Sequence, residues 1–532
     1  METFVRMFSQ YQIPAHIACM FCHMCGMLYK QEVTMRGGAQ LVVKKQEPAF
    51  DELSLDEKIA KLQEVFEDDS EFHVRHVKKG DLTLTFACIT SLVSMAKIND
   101  FLIPTLMRLP AEEIDTYVHN LQTIEATTYD DAINQILAGS VMICVGDDHF
   151  YTVYLKEDTA RDITEPNAEQ VVHGSHEGFV EDLQTNVRLV RNRVRSRHLK
   201  VEHIEIGTET KTKVAIVYMK DLVNEDILAE LKRRMNYIET DMVVTTNYLE
   251  EFIEDSPFSI FPQMISTERP DKVEANLLDG KIALLSDGGP NSLIMPVTFF
   301  SFFQSPDDYN SRWMTASFIR MLRFVSFLIA IILPALYIAV VSFHFEVLPD
   351  ELVMPLKLSV STVPYPPIME ALLMELTIEL IREAGIRLPS PISQTIGIVG
   401  GLVIGDAVVQ AGLVSNVMII VVAITAIASY IIPSNEFSAS IRLLRFPIML
   451  LAAMFGFIGI IFGLIIMLMQ LCKQESFGVA YFYPIAPFKW NGLKDAFIRV
   501  PLWLMKRRPL DAKPKKRFRF RQTRGWDIDG KS

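Results

Sequence analysis

The sequence predicts a two-part chain: an α/β cytoplasmic N-terminal region of two small subdomains, followed by an α-helical transmembrane bundle. Three observations predict it. Charge is dense before about residue 320, and long uncharged stretches begin at Phe324. Strand-like and helix-like apolar periods alternate through the first half. Mean hydropathy is +0.22 and half of the 532 residues are hydrophobic, an apolar surplus that a soluble protein of this length does not need. The expected divisions are an irregular extension at 1–50, a helical subdomain at 51–135, an α/β subdomain at 136–316, a transmembrane bundle at 317–472, and an interfacial segment with a basic tail at 473–532.

In the extension, Cys19, Cys22 and Cys25 lie beside His16 and His23. C-x2-C-x2-C can ligate zinc or an iron–sulfur cluster, but no fourth ligand or downstream C-x2-C completes it. A short apolar helix, or an extension upstream of Met27 or Met35, explains the segment as well. It lacks a signal peptide's apolar run and cleavage site, so the soluble half is expected to stay in the cytoplasm. Six cysteines in all imply no disulfide framework.

From Leu53 to Leu137 the apolar residues Ile59, Leu62, Val65 and Phe66, then Ile114, Val118, Leu121 and Ile124, fall at helical spacing. Val141–Val145 and Tyr151–Leu155 flank Gly146-Asp147-Asp148 and read as a hairpin. A polar helix at 179–196 follows, then strands Val201–Ile206 and Val214–Met219, a helix Asn224–Met235, and a hairpin turning at Asp287-Gly288-Gly289-Pro290. No phosphate loop, H-E-x-x-H or G-x-S-x-G occurs. The paired acids Asp147-Asp148 and Asp307-Asp308 suit turns better than acid–base work. The expectation is a non-enzyme without cofactor. A net charge of −12 argues against nucleic-acid binding.

The membrane half opens with Phe324–Phe343, 20 uncharged residues around Pro334, preceded by Arg320 and Arg323 and followed by acids. That length crosses a hydrocarbon core, and the charge asymmetry puts the N-terminal half inside. After Pro366-Pro367, the helix Ile368–Ala384, closed by Gly385, carries Glu375, Glu379, Arg382 and Glu383 on one face. Such a face belongs at the interface, on a protein interior or on a water path. Gly397, Gly400, Gly401 and Gly405 then space a helix by four, for tight packing or for a pore in which Leu402 forms a hydrophobic gate. Val414–Ile432 and a long Phe446–Leu471 are two further spans. Aromatic residues from Tyr481 to Trp503 suit headgroup depth, and ten Lys and Arg against one Asp between Lys506 and Arg524 suit a cytoplasmic tail on anionic lipid. Four crossings put both termini inside if the Glu-rich helix does not cross, but then Arg442 and Arg445 lie outside.

From Ala138 to Arg508 the chain resembles the A subunit of GerA-type spore germinant receptors. The stretches that carry the resemblance include Ile163-Thr164-Glu165-Pro166, Phe261-Pro262-Gln263, Thr267-Glu268-Arg269-Pro270-Asp271-Lys272-Val273, Gln304-Ser305-Pro306-Asp307-Asp308-Tyr309, Pro366-Pro367-Ile368-Met369-Glu370-Ala371 and Gln394-Thr395-Ile396-Gly397. The resemblance implies a multi-pass protein of the spore inner membrane. It implies work beside a transporter-like B subunit and a lipoprotein C subunit, and self-association as a ring of five into a nutrient-gated cation channel. Glu375 and Glu379 would then favour cations along the path, or pair with Arg382 or neighbouring helices. A paralogue that senses no nutrient, or a secondary transporter, stands as the alternative.

Overall fold

The computed structural model describes residues 32–36, 40–44, 55–80, 82–121, 123–124, 129–145, 149–157, 165–166, 169, 171, 173–388 and 405–520. They form two compact units: one runs to residue 155, and the other holds 156 onward together with 68–72 and 89–94.

The first unit begins with an antiparallel hairpin, β1 (Glu32–Arg36) and β2 (Gln40–Lys44), and a helix α1 (Leu55–Val65). Then follow β3 (Phe72–Lys79), β4 (Leu82–Ile89), α2 (Ile103–Arg108), α3 (Ala111–Asn120), β5 (Thr123–Ile124), α4 (Tyr129–Leu137), β6 (Ser140–Val145) and β7 (His149–Tyr154). The five later strands make one sheet in the order β3-β4-β6-β7-β5. This corrects the helical reading of 51–135. Phe72–Ile89 is a pair of strands, because exposed and half-buried side chains alternate along β3 and Gly80 turns at φ +61°. Thr85 of β4 pairs with Cys144 of β6, so the division expected at 135/136 falls inside this sheet.

In the second unit come α5 (Leu183–Arg193), β8 (Leu199–Ile206), β9 (Thr212–Met219), α6 (Glu225–Asn236), α7 (Thr246–Ile253), β10 (Ile265–Thr267), α8 (Pro270–Leu278), β11 (Ile282–Ser286) and β12 (Ser292–Met295). The sheet runs β10-β12-β11-β9-β8 with every neighbour antiparallel. Along β9, Ala215, Val217 and Met219 pack with residues of α5 and α8, while Val214, Ile216 and Tyr218 pack with α6 and α7. Both faces are covered, so the strand is apolar throughout rather than alternating. At the edge of this layer Arg191, 2% exposed, bonds Asp69 at 2.7 Å and Glu71 at 2.8 Å, and Ser91 donates to Glu71 at 2.6 Å. Burial alone pushes the Glu71 carboxyl up, but His203, Arg191 and Ser91 together hold it down at about 2.

The rest of the unit is helical: α9 (Pro306–Asn310), α10 (Trp313–Phe343), α11 (Asp350–Ser361), α12 (Pro367–Arg387), α13 (Gly405–Gln410), α14 (Asn416–Tyr430), α15 (Asn435–Phe455) and α16 (Phe457–Lys473). Helices α10 and α15 are each long and apolar enough to cross a hydrocarbon core; α14 and α16 are apolar over 15 and 17 residues. Gly385 does not end α12, which continues to Arg387. The single span expected at Phe446–Leu471 is two helices, since Gly456 at φ +60° reverses the chain between α15 and α16. The later glycines let the returning helix close in: a Cβ on Gly459 would penetrate the Leu451 carbonyl, and one on Gly463 would sit 3.1 Å from Ile448.

Contacts at each end fix the helix directions. Next to the α/β layer, Phe437 at the start of α15 stacks on Phe302, and Gln474 after α16 accepts from Ser259 at 3.0 Å. At the far end, Gly456 lies against His344, whose ring stacks on Phe457 at 4.7 Å. Helices α10 and α15 therefore run away from the α/β layer, and α16 returns to it.

After α16 the chain packs back onto the α/β layer through β13 (Glu475–Ser476), β14 (Val479–Ala480) and α17 (Trp490–Ala496). The aromatic segment is only partly exposed. Tyr481 is 0% exposed and donates to the Pro262 carbonyl at 2.7 Å, whereas Phe488, Trp490 and Trp503 are exposed. The basic arm also departs from expectation. Lys515 and Lys516 pair with Glu225 and Asp221 at 2.8 and 2.7 Å, and Arg519 with Asp279, so these cations lie on protein carboxylates rather than free for lipid.

Two outcomes test this architecture. Gly459→Ala is expected to lower the stability of the detergent-purified protein by about 1–3 kcal/mol through overpacking, while Gly405→Ala, with open space around an added Cβ, leaves it unchanged. The depressed Glu71 carboxyl supplies stability that is complete above the ordinary carboxylate range near 4.5 and is lost as pH falls towards about 2. Denaturant midpoints from pH 6 to about pH 3 should fall less steeply in Glu71→Gln than in the parent.

Candidate functional site

The polar face of α12 is the most chemically specific feature of the bundle. Proline at its first turn starts the helix, and 3.6 residues per turn align Glu375, Glu379 and Arg382 along one stripe. Helix α15 presents Arg442 and Arg445 one turn apart, and the two helices run in opposite directions, so the stripes meet rung by rung.

At the far end Glu370, 1% exposed, accepts from the Ser415 N–H at 2.5 Å and from the Tyr337 hydroxyl at 3.2 Å. Ser415 also caps α14 by accepting from the Met418 N–H at 3.2 Å. A carboxylate at a helix N-terminus neutralises the positive end of its dipole. In the middle, Arg445 and Glu375 form an ion pair in which both side chains are at most 2% exposed. Nearer the α/β layer, Glu379 takes Arg442 at 3.1 Å and Arg382 at 3.5 Å. Arg382 lies 4.3 Å over the Tyr430 ring and donates to the Ser429 hydroxyl at 3.0 Å. Two carboxylates, Glu375 and Glu379, therefore face three guanidiniums, while Glu370 faces a helix N-terminus and a hydroxyl. The pairing is incomplete in hydrogen bonds: among the described residues, buried Glu375 Oε1, Arg445 Nε and Nη2 make none, and Arg382 Nη1 meets Glu379 only at ion-pair distance.

A second buried cluster joins α10 to the α/β layer. Ser305 and Asp308 form a reciprocal cap on α9. The same Asp308 carboxylate, 2% exposed, receives Arg320 at 3.0 Å and Arg323 at 2.8 Å. Arg320 reaches on to Asp495 of α17 at 2.9 Å, and Tyr309 donates to that carboxylate at 2.8 Å. Burial, with the Asp495 charge behind it, pushes the Tyr309 phenol above its ordinary range. Around this cluster Phe299, Phe303, Phe324, Phe327 and Phe437 pack ring against ring, with Phe303 and Phe324 at 4.2 Å.

With this geometry in hand, comparison with known proteins is direct. The model of the GerA family, described as Bacillus/Clostridium GerA spore germination protein, matches residues 60–510. The chain belongs to that family. It is 38% identical to spore germination protein KA of Bacillus subtilis over 87% of this chain and 88% of that one. It is 41% identical to the B. subtilis protein described as uncharacterized membrane protein YfkQ over 79% and 84%, and 41% identical to spore germination protein GerQA of Bacillus cereus over 74% and 79%. A crystal structure of the N-terminal domain of the A subunit of the Bacillus megaterium germinant receptor GerK3 aligns with 46% of this chain and 95% of its own, at 27% identity and a TM-score of 0.36.

For this GerA-family chain the structure distributes the sequence-derived candidates unevenly. Glu375 and Glu379 come together with Arg445, Arg442 and Arg382, the pairing alternative rather than free carboxylates. Gly405 opens α13, and among the described residues no atom lies within 4 Å of a Cβ added there. Gly397, Gly400, Gly401 and Leu402 lie outside the described residues, as do Cys19, Cys22 and Cys25. Sequence reasoning missed Glu370 and Asp308. Both stood inside quoted motifs, and the one available signal was their position at a helix start, Glu370 behind a double proline and Asp308 three residues after Ser305.

Removing one partner of a buried pair strands the other charge. Arg445→Ala and Glu375→Ala are each expected to cost about 3–5 kcal/mol. The double replacement Glu375→Leu with Arg445→Met is expected to restore most of that loss. Thermal midpoints of the purified protein in one detergent check all three.

Proposed function

We propose that this chain is the A subunit of a nutrient germinant receptor in the spore inner membrane, and that its helical bundle forms a nutrient-gated cation channel that triggers germination. The observation that carries the reading is the charge ladder between α12 and α15. Internal pairing removes the reason to keep α12 out of the bilayer. A crossing α12 runs from Glu370 at the far end to Arg382 beside Tyr430 near the α/β layer. Gly412 lies beside Thr362 at the far end, and α14, α15 and α16 follow from there. Among the described helices α10 and α15 lead away from the α/β layer and α12, α14 and α16 lead back to it, which leaves the α/β layer and the C-terminal arm on one side, both cytoplasmic. Arg442 and Arg445 no longer break the positive-inside trend, because α15 starts from the cytoplasmic side.

Exposed Leu328 on α10, Ile427 on α14, Leu450 on α15 and Phe462 on α16 supply an apolar outer surface. That surface suits lipid and neighbouring copies, in keeping with self-association as a ring of five. The gate falls to the Gly-rich stretch with Leu402, since Glu375 and Glu379 are occupied by arginines. The family membership supports work beside a transporter-like B subunit that binds nutrient and a lipoprotein C subunit.

Two measurements test the reading. Cysteines placed at Glu346 and at Lys513 should react with an impermeant maleimide from opposite faces of sealed vesicles; labelling from one face overturns the topology. The purified complex in planar bilayers should show unitary cation currents, raised at rest by Leu402→Ala. Saturable flux without openings favours a transporter, and no current at all leaves a signalling scaffold.

A further inference from the structure

Below the joint that holds α10, the second unit contains a cavity of about 700 Å³, within the range of small-ligand sites. Its walls come from the end of α8, the Thr298–Gln304 turn, α17 and the arm from Val500 to Phe518. The cavity is strongly basic in its uncompensated charge. Its three acids are already engaged: Asp279 by Arg519, Asp511 by Lys281 at 3.3 Å, and Asp495 by Arg320. Lys494, Lys506, Arg507 and Arg517 also line it, and among the described residues none of these four has a carboxylate within salt-bridge distance. The contrast lies within one short arm, where Lys515, Lys516 and Arg519 are each paired with an acid of the α/β layer. Tyr483 adds an independent sign. It lines the same cavity, is 9% exposed, and among the described residues its buried hydroxyl has no hydrogen-bond partner. A buried hydroxyl left unpaired is costly unless a ligand supplies its partner.

Position identifies the ligand's other half. Leu502, Trp503 and Leu504 beside the cavity are 42–49% exposed, and the joint above it marks where α10 enters its apolar run. Unpaired guanidiniums and ammoniums with a hydroxyl donor suit phosphate oxygens, and an exposed apolar rim suits acyl chains. We propose that this cavity binds the phosphate of an anionic phospholipid headgroup, with Arg507, Arg517 and Lys506 contacting the phosphate, Tyr483 donating to it, and the acyl chains lying along Leu502–Leu504. The proposal rests on the membrane placement argued above, but not on conduction.

The test uses the full-length purified protein in neutral detergent. Its thermal midpoint is followed while phosphatidylglycerol, phosphatidylcholine or inorganic phosphate is titrated in. Phosphatidylglycerol alone should raise the midpoint. The triple variant Lys506→Gln, Arg507→Gln, Arg517→Gln should weaken the apparent affinity at least about tenfold. Tyr483→Phe, which keeps the ring and its packing, should weaken it severalfold, and Lys515→Gln, whose cation is paired outside the cavity, should leave it unchanged. An undiminished response in the triple variant and in Tyr483→Phe overturns the site. An equal response to inorganic phosphate overturns the lipid as its source. Either result leaves the conduction measurement standing, so the two failures are distinguishable.

Discussion

Every feature of the helical half follows from one constraint: charge can be taken into an apolar bundle only in neutralised form. Isolated carboxylates or guanidiniums cost several kcal/mol each after burial, and pairing recovers that cost only where geometry is good. Here three Glu of α12 face guanidiniums or a helix N-terminus, one to each rung. The antiparallel direction of α12 and α15 is what makes the rungs coincide. The ladder therefore specifies helix order and register as much as it stabilises them, a role for which apolar packing alone is poorly suited.

The same constraint shapes the joint. Arg320 and Arg323 sit just before the apolar run of the first long helix, and the sequence reading uses them only as positive charge that orients a span. In the fold both are buried on Asp308, and Asp308 also caps the short helix before them. One carboxylate thus ties a turn of the α/β layer to the first long helix, and Asp495 ties α17 to the same guanidinium. The surrounding phenylalanine rings exclude water and raise the cost of separating these groups.

Much of this was legible in the sequence where a period or a turn residue spoke without rivals. The strands β8 and β9, the helix α6 with its Asn224 cap, and the hairpin at Gly288 stand where the pattern put them. The failures have physical causes. In Phe72–Ile89 a polar strand and an apolar one meet at Gly80, so no single period marks the stretch, and the apolar half, β4, is placed by pairing with β6, more than fifty residues on. Phe446–Leu471 is apolar throughout, so nothing in its hydropathy announces a reversal; the positive φ at Gly456 is visible only in three dimensions. The acids Asp221, Glu225 and Asp279 that receive the basic arm lie far from it in sequence, and no local pattern links them to it.

These two charge clusters also differ in how completely they are bonded. The joint is fully engaged: Asp308 uses both carboxylate oxygens, and Arg323 also donates to the Phe303 carbonyl at 2.9 Å. Separating α10 from the α/β layer would break several charge-assisted bonds at once, so the two move as one body. The ladder is not so engaged. Glu375 and Arg445 retain three buried atoms with unused hydrogen-bonding capacity. A pair with spare donors and acceptors can exchange partners at smaller cost than a saturated one, because the new bonds form as the old ones lengthen. Of the two clusters, the ladder and not the joint is therefore the one that keeps spare bonding capacity among the described residues.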